Sequence, residues 1–157
     1  MRKGRRGLAL LGLACLLATA PARAQEAPRR VVSINLCTDQ LAMLVAGEGQ
    51  LLSVSHLASD PYSSAMAGEA RAFTVNHGLA EEVFLMRPDL ILAGTYTARA
   101  TVDLLVRLDF RVELFEPAGS FDDIRRHIER IGVLLGQEAR AGALVDELDA
   151  GLAELAA

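Results

Sequence analysis

Ala80-Glu81-Glu82-Val83-Phe84-Leu85-Met86-Arg87-Pro88-Asp89-Leu90-Ile91-Leu92-Ala93 is the stretch on which the reading of the fold turns. Val83, Phe84 and Met86 supply the apolar positions of a helix. Pro88 pushes the residue before it out of the helical region, so the helix stops there. Directly beyond, Leu90–Ala93 carries no charge, the pattern of a strand buried on both faces. The stretch reads as a helix returning into a parallel sheet.

The same alternation extends both ways. Val31–Ile34, Leu51–Ser55 and Val112–Phe115 read as further buried strands, short and bounded by turn chemistry. Leu41, Leu44 and Val45 form a helical face after Thr38, a predicted N-cap. Val102, Leu105, Val106 and Leu108 form another, with Thr97 as its predicted N-cap. Ile124, Ile128, Ile131 and Leu135 recur at helical spacing, and Ser120 with Asp123 makes a capping-box variant at the start. Ala58–Ala72 is the least periodic segment and reads as loop with a short helix. The fold class is therefore α/β, a Rossmann-like parallel sheet with helices on both faces. Ligands of such sheets bind at the carboxyl ends of the strands. Those ends are the loops at 35–38, 56–63, 94–97 and 116–119.

The beginning of the chain has a different character. Arg2, Lys3, Arg5 and Arg6 precede an uncharged leucine-rich run from Gly7 to Ala20, and Ala22-Arg23-Ala24 follows. These are the three parts of a secretory signal. The run of about 14 residues would reach only roughly 21 Å as a helix, short of a bilayer core of about 30 Å. Arg5-Arg6 alone does not make a twin-arginine signal, and Cys15 lies too deep in the apolar run for a lipoprotein. Cleavage after Ala24 is expected, with a soluble product in the periplasm. Five of the 16 basic residues lie in 1–24, which leaves 11 against 20 acidic residues and a net charge of −9. That balance argues against nucleic acid as a partner. Cys37 is then the single cysteine, so no internal disulfide can form.

Enzyme chemistry finds little support. Gly47-Glu48-Gly49 follows a helix rather than a strand, and Leu stands at position 52, so it reads as a helix stop. No G-x-S-x-G, H-E-x-x-H or C-x-x-C occurs, and neither a cofactor nor a metal site is expected. His127 lies beside an apolar stripe and reads as structural, and Cys37 as a small buried residue. His56 and His77 fall in loops that could line a site, as do Tyr62 and Tyr96. An envelope metal-binding protein or small α/β enzyme using His56, His77 and an acid is the alternative reading.

With these elements placed, Ala80–Ala93 resembles the "E-x-I-x-x-L-K-P-D-L-V-I" signature of periplasmic proteins that deliver ferric siderophores, cobalamin or haem to ABC importers. Arg29-Arg30-Val31-Val32-Ser33 resembles that family's opening strand. Leu108-Asp109-Phe110-Arg111-Val112 is similar to its "L-G-I-x-V" lead into the next strand. Ser120-Phe121-Asp122-Asp123-Ile124 and Ile131-Gly132-Val133-Leu134-Leu135-Gly136 resemble the helix start and turn that follow. The resemblance covers residues 29–157 in order. It implies two α/β lobes joined by a long helix, a ligand held between them, and a glutamate on each lobe that docks to the membrane permease. Glu81 matches the N-terminal one, although an acid in a helix's first turn is also favoured by the helix dipole alone.

The resemblance further implies ligand-facing loops at 35–38, 75–78 and 94–97. The expected ligand-binding residues are Asn35, Leu36, Cys37, Thr38, His56, Asn76, His77 and Tyr96. Cobalamin binders often carry a tryptophan just before the docking helix. Val75 or Asn76 stands there, which leaves a siderophore or haem. The expected organisation is a signal peptide at 1–24, an N-terminal lobe at 25–136, and the start of a linking helix at 137–157. Leu144, Leu148, Leu152 and Leu155 give that helix an apolar stripe, and no second lobe follows it. A truncated gene product, with the second lobe missing or on a separate chain, is the expectation.

Overall fold

The computed structural model describes residues 26–156, and the expected signal segment lies outside them. Five strands and five α-helices follow one another: β1 (Val31–Ser33), α1 (Leu36–Val45), β2 (Leu51–Ser55), β3 (Thr74–Asn76), α2 (Ala80–Met86), β4 (Leu90–Gly94), α3 (Arg99–Arg107), β5 (Val112–Phe115), α4 (Phe121–Leu135) and α5 (Glu138–Leu155). Two short 3₁₀ turns, His56–Ser59 and Glu69–Ala72, interrupt the long β2–β3 connection. None of the described helices is long and apolar enough to cross a membrane.

The strands are all parallel, in the order β3-β2-β1-β4-β5. Alternate residues supply opposite faces. Val31, Leu90 and Leu92 join α1, α4 and the foot of α5 on one side. Val32, Ile34, Ile91 and Ala93 join α2 and α3 on the other. Burial on both faces is why these strands read as continuous apolar runs.

The segment around Pro88 is locked to β1. Arg87 stands in the left-handed region at φ 48°, closing α2. The Arg30 guanidinium donates to the carbonyls of Met86 (2.6 Å) and Arg87 (3.0 Å), two acceptors the helix end leaves unpaired. The Asp89 carboxylate accepts the backbone N–H groups of Arg29 (2.7 Å) and Arg30 (2.9 Å). These contacts seat Val31 opposite Leu90.

Three local expectations are corrected. Thr74–Asn76 is a fifth strand that periodicity missed, because three residues on a sheet edge carry too little alternation to read. Helix α1 is capped by Asn35, whose side chain accepts from Cys37 N–H, and not by Thr38, whose hydroxyl turns inward to Ser33. Thr97 does not cap α3, since its Oγ1 accepts from Gly94 N–H at 3.0 Å, and Ala98 holds the N-cap position. Ser120 caps α4 as expected, accepting from Asp123 N–H.

Candidate ligand-binding site

Residues 31–76 run outward from β1 to β2 and β3, and the chain then returns to place β4 on the other side of β1. The reversal opens a crevice between the carboxyl ends of β1 and β4, where open α/β sheets bind ligands. A concavity of about 230 Å³ lies at this edge. Four strands contribute: Ile34 and Asn35 after β1, Ser55, His56 and Leu57 at the end of β2, His77 and Gly78 after β3, Thr97 and Ala98 after β4.

The floor is polar, buried and internally satisfied. Asn76 has no exposed surface; its Nδ2 donates to Ser33 O (2.9 Å) and Ser53 Oγ (2.8 Å), and its Oδ1 accepts from Gly78 N–H (3.0 Å). One amide thus ties β1 and β2 to the end of β3 and shapes the turn at Gly78, whose φ of 69° suits glycine. Asn35 sits so close to Gly94 that a Cβ there would lie 2.7 Å from Asn35 Nδ2, so the β1–β4 crevice depends on glycine at 94.

Asp39 and Thr38 are equally buried. The Asp39 carboxylate accepts from Ser55 N–H (3.1 Å) and Ser55 Oγ (2.5 Å). Burial pushes its pKa up, against the opposing pull of hydrogen bonds from Ser33 and Ser55 and of the nearby His56. Thr38 Oγ1 lies 2.8 Å from Ser33 Oγ and donates to Asn35 O at 3.0 Å.

The rim carries the imidazoles. His56 and His77 stack with ring centroids 5.4 Å apart and planes inclined by 21°. The Glu82 carboxylate accepts from His77 backbone N–H (2.6 Å) and lies 3.0 Å from His77 Nδ1. Those bonds to His77 hold the Glu82 carboxyl below the usual glutamate range. Among the described residues, no group of three or more His, Cys, Asp or Glu could hold a metal ion, so His56 and His77 find no acid completing a three-ligand set.

The expected site residues therefore divide. Asn35, His56 and His77 line the concavity together. Thr38 and Asn76, expected to face ligand, are buried in the floor because every polar side-chain atom they own is used to join elements. Leu36 is half-buried at the start of α1. Cys37 is exposed rather than buried, on the outward side of the same turn, and lines a second hollow between α1 and α4 with Gln40, Phe115 and His127. His127 packs edge-on against Phe115, a structural place as expected. Tyr96 is 86% exposed and stands outside the concavity. Glu81 is exposed in the first turn of α2. Glu82 and Asp39 were not singled out by sequence reasoning. The only signal for Glu82 was an acid five residues after a loop histidine.

Several solved structures share this architecture. A periplasmic heme binding protein from Pseudomonas aeruginosa matches with a TM-score of 0.68 and 21% identity, over 82% of this chain and 46% of its own. A possible iron-binding, periplasmic solute-binding protein from Staphylococcus epidermidis matches with a TM-score of 0.68 and 21% identity, over 82% and 50%. The periplasmic vitamin B12 binding protein of Vibrio cholerae matches with a TM-score of 0.66 and 19% identity, over 82% and 49%. At such identities the likeness shows the fold, and the chain spans about half the length of these structures. No curated protein matches the chain. The family model described as periplasmic binding protein matches residues 31–157, nearly all of the α/β lobe and the helix that follows it, and the chain belongs to that family.

Proposed function

We propose that this chain is the N-terminal lobe of the substrate-binding component of an ABC importer, carrying an iron–siderophore or a related metal chelate such as haem in the periplasm. The observation that carries the reading is the convergence of four strand ends on one concavity at the β1–β4 crossover, in a chain of this family. The names of its structural neighbours, which include haem and vitamin B12 binders, favour a metal chelate as the cargo class. The family is one of solute-binding proteins rather than enzymes.

In this reading residues 25–136 form the lobe and α5 begins the link to a second one. A one-sided concavity of about 230 Å³ cannot bury most of a chelate's surface. A second wall is required, and the half-length coverage of the neighbouring structures agrees with that need. The mechanism is capture at the strand ends, closure of the second wall, and docking of Glu81 against arginines of the permease. Equilibrium titration of the purified chain with haemin, cyanocobalamin, ferrichrome and zinc, followed by absorbance, tests the reading. A response to at least one chelate is expected. Zinc binding that disappears in the His56→Ala, His77→Ala double variant, with no response to any chelate, would overturn it.

A further inference from the structure

Resting on the proposed chelate-binding role, we infer that the hollow between α1 and α4, with the trough it opens into, is a second subsite, and that the cargo is a metal chelate carrying a linear apolar chain. The chelate lies at the strand ends and its chain runs down the flank of the lobe. Three observations converge on this.

First, the space is continuous and drawn out. Asn35 lines the concavity, and Cys37, two residues on in the first turn of α1, lines the hollow. The hollow holds about 320 Å³, more than the concavity's 230 Å³. Leu41, Leu44 and Ile124 line both the hollow and a trough of about 520 Å³ between α1, α4 and α5. Leu144 to Leu155 carry the trough on along α5 for about 16 Å. That shape suits a chain better than a ring.

Second, the walls take hydrocarbon and little else. Apart from Glu147, leucine, isoleucine and glycine alone line the trough. Leu44 and Leu155 stand exposed beside it, so covering them removes apolar surface from water. An extended peptide laid there would bring backbone N–H and C=O groups that find no partners, each at the cost of a lost hydrogen bond. An alkyl chain brings none.

Third, the charges exclude a free lipid anion. No lysine or arginine lines the hollow or the trough, and the acids Glu116 and Glu147 do. A fatty-acid carboxylate or a phospholipid phosphate would lie there without a counter-charge and against like charge. The chain therefore belongs to a molecule whose polar end is held elsewhere. The concavity, with His56 and His77 at its rim, is the neighbouring place for it.

The experiment uses the full chain and its Ala118→Trp, Leu44→Gln and Val133→Gln variants, each checked for native circular dichroism. The probes are ferrioxamine B acylated on its free amine with acetyl, hexanoyl or decanoyl groups, with sodium decanoate and haemin alongside, all titrated by calorimetry. Affinity is expected to rise by roughly ten-fold or more from acetyl to hexanoyl, since each methylene fully buried is worth about four-fold. Ala118→Trp, which fills the mouth of the hollow, and Leu44→Gln, which makes its wall polar, should each flatten the series. Val133→Gln, on an exposed part of α4 that lines neither space, should keep it. A series already flat in the native chain, or undiminished in both hollow variants, overturns the inference. Decanoate binding as tightly as the decanoyl chelate overturns it too, as does a native dimer that Ala118→Trp turns into a monomer, because a second copy then fills the hollow. Binding of haemin but of no ferrioxamine overturns it while leaving the chelate-binding role intact, and binding of no chelate overturns both.

Discussion

Asp39 has no solvent exposure, yet it is a carboxylate whose two oxygens both accept from Ser55. Burial raises its folded pKa above the unfolded value. A raised pKa means that the folded lobe binds the proton more tightly, so this group's stabilising contribution is full below the ordinary aspartate range. It is lost as pH rises through the folded pKa. Asp39→Asn, which cannot titrate, should therefore gain on the native protein as pH climbs from below about 3.8 towards neutrality. Denaturant midpoints of the two proteins across that range check this, and a constant difference would contradict it. Asn76 poses the converse case: Asn76→Ala removes a buried amide and leaves Ser33 O and Gly78 N–H without it. A loss of roughly 2–3 kcal/mol in urea unfolding is expected. At this scale the sequence was half legible. It brought Asn76 and Thr38 to the carboxyl edge of the sheet, where they end β3 and open α1, but a single residue type does not show whether its polar atoms turn out to ligand or in to neighbouring strands.

Helix boundaries and contacts make a second set of expectations. Ser120 accepts from Asp123 N–H and donates to the Asp123 carboxylate, and its replacement by alanine should cost about 1 kcal/mol in thermal or chemical unfolding. Gly132, in the middle of α4, lies where a methyl group would collide with Ala141 Cβ of α5. On an exposed helix, Gly→Ala gains about 1 kcal/mol. Here Gly132→Ala should instead destabilise by roughly 1–3 kcal/mol, because α5 must be displaced. A more stable variant in calorimetry would show that α5 does not pack there.

The helical faces were readable because periods of three and four survive in the sequence, as at Ile124, Ile128, Ile131 and Leu135. The caps at Thr38 and Thr97 were misread because a threonine hydroxyl that bonds across to Ser33 or back to Gly94 leaves no mark on the spacing. The stripe Leu144–Leu155 is covered only in part: Leu144, Val145 and Leu148 pack on the core, while Leu152 and Leu155 border an apolar trough of about 520 Å³ between α1, α4 and α5.

Across the whole molecule, β1 and β4 are each flanked by strands on both sides, whereas β3 and β5 lie at the sheet edges. Val31, Val32, Leu90, Ile91 and Leu92 have no exposed surface, but Thr74, Val75 and Leu114 do. Backbone amides of Val32–Ser33 and Leu90–Leu92 should therefore exchange slowest, at the free energy of global unfolding, with those of Thr74–Asn76 much faster. Native-state hydrogen exchange checks the order, and protection of β3 equal to that of β1 would contradict it. The α/β class and the parallel sheet covered on both faces were legible, since buried parallel strands leave uninterrupted apolar runs. The edge strand was not, because three residues carry too little alternation, and neither was the place of His77 beside Glu82, which depends on the turn at Gly78.

The central position of β1 also bears on how the chain acquires its structure. The first strand to leave a ribosome or a translocation channel is the one that must pair with β2, beginning at residue 51, and with β4, beginning at residue 90. β2 arrives soon and β4 much later, and each loop closure must be made before any pairing rewards it. The leading strand is thus flanked on both sides only once about two-thirds of the lobe has emerged, and until then an incomplete sheet keeps the advancing chain threadable through a narrow passage.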